Sequence, residues 1–291
     1  MAPIPHSQTV SAPPLERLHL AYKRKVYRPL RERLRLWRAD AALLSFPKCG
    51  RTWLRLLIGK ALSLHIGAPD AARGDLLELE PFTFQRRELP SLLVSHDERP
   101  HRKAPAQIGR SKARYRRKNV LLLVRDPRDV IVSLYYERKK RKADYDGRLA
   151  EFVRERTGGI DSFIAFYNEW AAHRTLPRRF RLVRYEDLHT APRAELRDAL
   201  TLLGRPHVSD EHVHAAVEFA AFDNMRQMER RDEMQSDRLS PGEKDDPSSY
   251  KTRRGEVGGY ADELRPAEVA FLNEKMKKLD PFFGYAPPDA E

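Results

Sequence analysis

The feature that most constrains this chain is residues 41–66, AALLSFPKCGRTWLRLLIGKALSLHI. Its first six residues are an apolar run with the length of a buried strand. After a short basic loop, apolar residues recur at helical spacing, at Leu54, Leu57, Ile58, Ala61 and Leu62. In a strand–loop–helix unit, the loop amides and the unpaired N–H groups of the first helical turn converge at the positive end of the helix dipole. The segment therefore predicts an anion-binding loop at residues 47–52.

This loop differs from the Walker A motif of ATPases and kinases. That motif, Gly-x4-Gly-Lys-Ser/Thr, places lysine directly after its second glycine. Here Lys48 precedes Gly50, the only glycine of the loop. The difference argues against a P-loop-type nucleotide kinase, which stays as an alternative together with a basic nucleic-acid-binding protein without catalysis.

The charge balance supports an anionic ligand. The 291 residues include 55 Lys and Arg against 42 Asp and Glu, a net charge of +13. A nucleotide, a nucleic acid, an acidic glycan or an anionic membrane is therefore an expected partner. The single cysteine excludes an intramolecular disulfide, and no Cys/His spacing typical of zinc occurs. The length allows one large α/β domain or two small ones, and we expect one.

The N-terminal region differs in composition from the rest of the chain. Residues 1–14 are rich in proline and predict a disordered tail. Residues 15–40 predict a basic helical arm, interrupted near Pro29, that either covers the core or contacts a membrane surface. There is no signal-peptide pattern and no run of ~18 apolar residues, so we expect a cytoplasmic protein, with peripheral membrane contact through the arm as a further option.

Three further apolar runs predict strands of a parallel sheet. Residues 92–97 carry His96 at the end of the run, residues 119–124 (NVLLLV) have the continuous hydrophobicity of a strand buried on both faces, and residues 180–183 form the third run. Ligands of open α/β sheets bind outside the carboxyl ends of the strands. We therefore expect His96 near the same crevice as Lys48.

A second phosphate site is predicted directly after residues 119–124. Arg125 follows the strand, and Asp126 and Pro127 are the N-cap and first-turn residues of a helix that carries Ser133 on its second turn. An arginine fork binds a dianionic phosphate through two hydrogen bonds, and a serine hydroxyl adds a donor. The following residues, 137–148, form a mixed charge run that predicts a solvated helix end and loop.

These motifs resemble those of the sulfotransferases that use 3′-phosphoadenosine 5′-phosphosulfate (PAPS). Residues 46–53 (FPKCGRTW) are similar to the family's 5′-phosphosulfate loop, and residues 125–133 (RDPRDVIVS) to its 3′-phosphate motif. Residues 253–260 (RRGEVGGY) resemble the motif that closes over the 3′-phosphate, with Gly-Tyr in place of the family's Asp-Trp. The resemblance implies a P-loop NTPase-like α/β fold, a central parallel sheet flanked by helices, in a domain of residues 41–285 with a mobile loop or lid at residues 229–252.

The resemblance also implies the reaction and its residues. A sulfuryl group would pass in line from PAPS to a hydroxyl or amine, leaving 3′,5′-adenosine bisphosphate (PAP), with no metal. The expected catalytic residues are Lys48, Ser133 and His96, the last as general base because neutral imidazole accepts a proton near its usual pKa of ~6.5. The family's Lys-Thr-His is Val-Ser-His here. The expected donor-binding residues are Lys48, Cys49, Gly50, Arg51, Thr52, Trp53, Arg125, Ser133, Tyr185, Phe222, Arg253, Arg254 and Gly255.

Two of these positions have a second interpretation. Cys49 is either a nucleophile or, as we expect, a small loop residue, and Phe222 is either an adenine-stacking ring or a core residue. The acceptor, a small molecule, glycan or lipid, has no motif of its own, although the basic segments around its expected pocket favour an acidic or glycan acceptor. The charge alone allows a nucleic acid as a partner, but the resemblance to PAPS-dependent enzymes makes one no longer expected. Nothing in the sequence indicates the oligomeric state.

Overall fold

The computed structural model describes residues 27–68, 73–205 and 207–285. The chain divides into two units, Met1–Arg38 and Ala39–Glu291. In the first unit the described part holds helix α1, Arg28–Arg38, with Leu30, Leu34 and Trp37 exposed. The predicted disordered tail and the first part of the predicted basic arm lie outside the described residues.

The second unit is built on a parallel four-stranded sheet. Its strands are β1 Ala41–Ser45, β2 Leu92–Ser95, β3 Asn119–Val124 and β4 Arg179–Arg184, in the spatial order β2-β1-β3-β4. Every residue of β1 and β3 is buried, as expected for the two central strands of a sheet covered by helices on both faces. The predicted α/β fold with a central parallel sheet is confirmed.

Helices flank this sheet. They are α2 Arg51–His65, α3 Arg73–Leu77, α4 Leu79–Phe84, α5 Pro127–Tyr136, α6 Leu149–Phe152, α7 Ile160–Ala172, α8 Tyr185–Thr190, α9 Pro192–Leu202, α10 Asp210–Phe219, α11 Phe222–Arg230 and α12 Pro266–Met276. Helix α5 begins as predicted, because the Asp126 side chain accepts a hydrogen bond from the Arg128 N–H. Within the described ranges, no helix has both the length and the apolar character needed to cross a membrane.

Two segments outside the regular elements bear on the site. Helix α5 continues as a π-helical turn, Glu137–Arg141, and such turns are frequent at functional sites. Beyond α11, residues 231–250 contain the short 3₁₀ turns Asp237–Leu239 and Pro247–Ser249. Their buried Met234, Leu239 and Tyr250 attach this polar segment to the protein. Its role as a lid stays a prediction.

Candidate active site

A cavity of about 430 Å³ opens at the carboxyl edge of the sheet. Because all four strands are parallel, the residues that follow them meet there, among them Lys48 after β1, His96 after β2, Arg125 after β3 and Tyr185 after β4. The other predicted residues that line this cavity are Gly50, Arg51, Thr52, Trp53, Ser133, Phe222, Arg253, Arg254 and Gly255. The structure thus brings the predicted site residues together around one space, with one exception.

The exception is Cys49, which is buried and does not line the cavity. Its Sγ lies 3.6 Å from the hydroxyl of Tyr167. Burial raises the pKa of the thiol to about 12, so the sulfur stays protonated and is a poor nucleophile. This environment agrees with the expected role of a small loop residue.

The loop before α2 has a backbone that depends on its glycine. Lys48 and Gly50 both lie in the left-handed region, with φ of 71° and 91°. A Cβ atom at Gly50 would lie 2.5 Å from the ring of Tyr185, so a larger residue would meet both a strained backbone and an aromatic ring. Helix α2 then starts at Arg51, which directs the free N–H groups of its first turn toward the loop.

The contacts of Arg125 leave one of its donor groups available for an anion. One of its terminal nitrogens donates to the carbonyl of Glu256 at 2.7 Å, and its guanidinium lies 4.1 Å from the centre of the Tyr185 ring. Its Nε is buried and has no hydrogen-bond partner among the described residues. A buried guanidinium donor without a partner, in a cavity shared with Ser133, fits the phosphate site predicted there.

The predicted closing motif, residues 253–260, lies beside α5 at the same cavity. The Asp129 carboxylate accepts hydrogen bonds from the N–H groups of Gly258 and Tyr260, at 2.9 and 3.0 Å, which ties α5 to residues 253–260. Gly255 has φ of 70°, and a Cβ there would lie 2.2 Å from the Phe222 ring. The sequence alone assigns no role to Asp129, although its place within residues 125–133 is a signal that could have identified it.

The two arginines of the closing motif have intramolecular partners. Arg253 pairs with Glu263, and Arg254 pairs with Glu256 and Asp262. Both therefore lie on the cavity wall with their charges engaged by carboxylates, so a phosphate would have to exchange with these partners.

Aromatic rings form another part of the wall. The Trp53 ring centre lies 5.8 Å from that of Tyr185 and 5.0 Å from that of His189. Flat apolar surfaces of this kind suit a nucleobase. His189 lies one helical turn beyond Tyr185 in α8, and no pattern in the sequence marks it as a site residue, because only the fold places it against Trp53.

Lys48 forms a buried ion pair with Glu137. Its Nζ lies 2.8 Å from Oε2 of Glu137, and the two side chains are 9% and 6% exposed. The same carboxylate contacts Arg141 at 2.8 Å and Lys251 at 3.3 Å. The prediction that residues 137–148 form a solvated run is wrong at Glu137, because the π-helical turn carries this residue into the protein beside Lys48.

The charges of this cluster are strongly coupled. Burial opposes ionisation of Glu137, but Lys48, Lys251 and Arg141 outweigh it and hold the pKa of the carboxyl far below its usual range. Burial lowers the pKa of Lys48 despite the attraction of Glu137. Burial and the neighbouring charge of Lys48 lower the pKa of Lys251 well below its usual value. Glu137 and Lys251 are thus site residues that the sequence analysis missed.

His96 is held in a defined orientation and protonation state. Its Nδ1 lies 2.9 Å from the carbonyl of Ser45, which can only accept, so Nδ1 carries the proton. Its Nε2 lies 2.6 Å from a terminal nitrogen of Arg51, which can only donate. Burial, followed by the charge of Arg51, lowers the pKa of His96 well below its usual value. The imidazole is therefore neutral, with its lone pair directed at Arg51.

A buried network supports the chain after His96. Residues 97–99 have three successive positive φ angles, 44°, 68° and 58°, which is rare outside glycine. The buried carboxylate of Asp97 is bonded to Lys112 at 2.7 Å, to Tyr115 at 2.8 Å and to Trp170 at 3.0 Å. These bonds hold the strained turn, and with it the position of His96.

Comparisons with known proteins show the family of this chain. The family described as "Sulfotransferase domain" matches residues 38–280. Cytosolic sulfotransferase 12 of Arabidopsis thaliana is 25% identical over 252 residues, covering 78% of this chain and 72% of the relative. Among the described residues, no group of three or more His, Cys, Asp and Glu side chains could hold a metal ion.

Solved structures share the fold. Retinol dehydratase in complex with androsterone and the inactive cofactor PAP is 15% identical, with a TM-score of 0.58 over 82% of this chain and 79% of the other. A mouse sulfotransferase complexed with PAP is 19% identical, with a TM-score of 0.57 over 83% of this chain and 84% of the other.

Proposed function

The chain belongs to the sulfotransferase family, and we propose that it transfers a sulfuryl group from PAPS to a hydroxyl or amine of an acceptor. The observation that carries this proposal is the convergence of two predicted phosphate sites, Lys48 and His96 on one cavity. When bound, PAPS supplies the activated sulfuryl group. The PAP-bound structures that share the fold support this choice of donor.

The residues of the loop and of α5 would hold the donor. The N–H groups of residues 49–52 and the Thr52 hydroxyl suit the 5′-phosphate, since a helix N-terminus favours anions. Arg125 and Ser133 suit the 3′-phosphate, and Arg253, Arg254 and the N–H of Gly255 would close over it. Tyr185, Phe222 and Trp53 offer flat surfaces for the adenine.

Lys48 and His96 would act at the transfer point. PAPS would supply the sulfur to which the acceptor oxygen or nitrogen bonds, and its 5′-phosphate oxygen would leave with the bonding electrons. Lys48 would offset the charge that develops on that oxygen. The acceptor's proton passes to Nε2 of His96, which requires the Arg51 guanidinium to leave that nitrogen.

The finer expectations belong to the same proposal. The acceptor would be a small molecule, a glycan or a lipid, and residues 229–252 would act as a lid over it. The protein would act in the cytoplasm. The exposed Leu30, Leu34 and Trp37 of α1, with the arginines between them, would allow contact with an anionic membrane.

Titration with PAP, ATP and a DNA duplex tests this function against its two alternatives. We expect PAP to bind most tightly, and Lys48→Ala and Arg125→Ala each to weaken PAP at least about tenfold. Transfer of radiolabelled sulfate from PAPS to an acceptor panel then measures the reaction. Equal competition by ATP would favour a nucleotide kinase. Steeply salt-dependent DNA binding without PAP binding would favour a nucleic-acid-binding protein.

A further inference from the structure

One end of the cavity is basic and takes no part in the donor motifs. It is lined by His96, Arg99, His101, Arg102 and Lys142, and we call it the acceptor end. The His96 and His101 rings lie 5.5 Å apart, so these residues form one cluster around the candidate base.

The acidic residues of the same cavity have their shortest contacts outside this cluster. Asp129 accepts the N–H groups of Gly258 and Tyr260. Glu256 pairs with Arg254. Glu137 contacts Lys48 at 2.8 Å but Lys142 only at 3.6 Å. Among the described lining residues, the acceptor end therefore has an excess of positive charge.

The electrostatics of His101 reflect this excess. Burial, together with the charges of Arg102, Lys142 and Arg99, lowers the pKa of His101 to about 4. Its Nδ1 is buried and has no hydrogen-bond partner among the described residues. A negative charge placed here would be attracted by several cations, of which Arg99, Arg102 and Lys142 are exposed to solvent, so added salt should weaken the attraction.

Arg51 links this cluster to the base. One terminal nitrogen contacts Nε2 of His96, while the other, Nη1, is buried without a hydrogen-bond partner among the described residues. Arg51 also lines a neighbouring cavity of about 500 Å³. That cavity is basic as well, with Arg55, Arg141, Lys142, Arg238 and Lys251 in its wall.

We propose that the acceptor carries an anionic group, a carboxylate, phosphate or sulfate, beside the hydroxyl that it presents to His96, and that Arg51, Arg99 and Arg102 bind this group. The inference rests on the proposed function. An anion that pairs with Arg51 draws its guanidinium away from Nε2 and leaves that nitrogen open to the acceptor's proton. The acceptor oxygen then bonds to sulfur, the leaving phosphate oxygen keeps its electrons, and His96 holds the proton. Recognition of the anion thus prepares the base.

Two matched acceptor series test this proposal. The first is 4-ethylphenol, 4-hydroxyphenylacetate and N,N,N-trimethyltyramine, and the second is methyl glucoside, methyl glucuronide and methyl 6-deoxy-6-(trimethylammonio)glucoside. Each series keeps one ring and changes the charge of one substituent at one position. The quaternary ammonium groups cannot accept a sulfuryl group, and the two series separate a phenolic from a glycan source. We expect the anionic member of one series to exceed its neutral partner at least about tenfold in kcat/KM. For a series without turnover, calorimetry on the enzyme–PAP complex measures the affinity of each member, and we expect the same ranking. The proposal is overturned if, in both series, the neutral and cationic members have a kcat/KM or an affinity equal to or higher than that of the anionic member.

Charge reversal tests the residues. In Arg99→Glu/Arg102→Glu, we expect KM for the preferred anionic acceptor to rise at least about tenfold. The kcat/KM for the cationic member should increase, while the affinity for PAP stays within about twofold. The matched control is Arg116→Glu/Arg117→Glu, which makes the same charge change at two exposed positions that line neither cavity. An equal loss in both pairs would mean that only the overall charge matters, and would overturn the assignment.

PAP titration of every sample separates the two levels of inference. If the parent protein does not bind PAP, the proposed function fails. If it binds PAP and transfers sulfate without preference for an anionic acceptor, only the acceptor inference fails.

Discussion

The Nζ atom of Lys48 lies 2.8 Å from Oε2 of Glu137, a residue 89 positions further along the chain. The candidate catalytic lysine is therefore held by a carboxylate from a distant part of the chain. The same carboxylate also contacts Lys251 and Arg141, so one buried acidic side chain lies among several basic ones. Glu137 thus positions the lysine and makes it possible to assemble these cations at one site.

Glu137→Gln should strongly destabilise the protein. Removing one partner of a buried ion pair leaves the other charges uncompensated, which costs about 3–5 kcal/mol. Urea unfolding followed by tryptophan fluorescence measures the free energy of unfolding. The matched control is Glu274→Gln, which removes the exposed pair with Lys277 and should leave the free energy of unfolding nearly unchanged. Similar losses in both variants would contradict the central role of Glu137.

Gly255→Ala should weaken donor binding through a steric clash. A Cβ at this position would meet the Phe222 ring at 2.2 Å in addition to the strain of a positive φ. Gly258→Ala is the control, because Gly258 has a similar φ of 75° and open space around the added Cβ. We expect PAP affinity measured by calorimetry to fall at least about tenfold more in the first variant than in the second. Equal effects would assign the loss to backbone strain alone.

The value of kcat/KM should persist well into the acid range, because the candidate base His96 stays neutral there. The pKa of His96 lies well below its usual value, so the imidazole stays neutral as the pH falls through ~6.5 and accepts a proton only at lower pH. The acid limb of kcat/KM for an uncharged acceptor should therefore lie below pH 6.5. It should disappear in the residual activity of His96→Gln. An acid limb at or above pH 6.5 would argue against His96 as the base.

The stability of the folded protein should also decrease as the pH falls. The folded-state pKa values of His96 and His101 are depressed, to about 4 for His101, so the unfolded chain takes up these protons first. The stability that the neutral forms of these two histidines contribute is fully present above pH ~6.5. It is lost as the pH falls toward their folded-state pKa values. The decrease in Tm between pH 7 and pH 4 should be smaller in His101→Gln than in the parent protein. An unchanged decrease would mean that His101 titrates normally.

Asp97→Asn should reduce both stability and turnover. The change leaves Lys112 buried without its counter-charge and weakens the strained turn after His96. Tm and kcat should fall together, whereas Asp144→Asn, at an exposed pair with Arg138, should leave both nearly unchanged. Loss of Tm with kcat and KM preserved would restrict Asp97 to a structural role.

Local patterns in the sequence determined much of this protein. The apolar runs predicted β1 and β3, and the loop around Gly50 and the position of Arg125 predicted anion sites at strand ends. The strand predictions are confirmed, because hydrophobic periodicity acts over a few neighbouring residues, whereas the anion sites stay predictions. A parallel sheet then brings the ends of all its strands to one edge.

Only the tertiary structure decided which distant side chains meet. Glu137 looked like part of a solvated charge run, yet it balances Lys48 because a π-helical turn carries it inward. The tautomer of His96 depends on the Ser45 carbonyl and Arg51, which come from a different strand and helix. Such pairings depend on burial and on distances across the fold, and the spacing of residues along a chain does not contain either quantity.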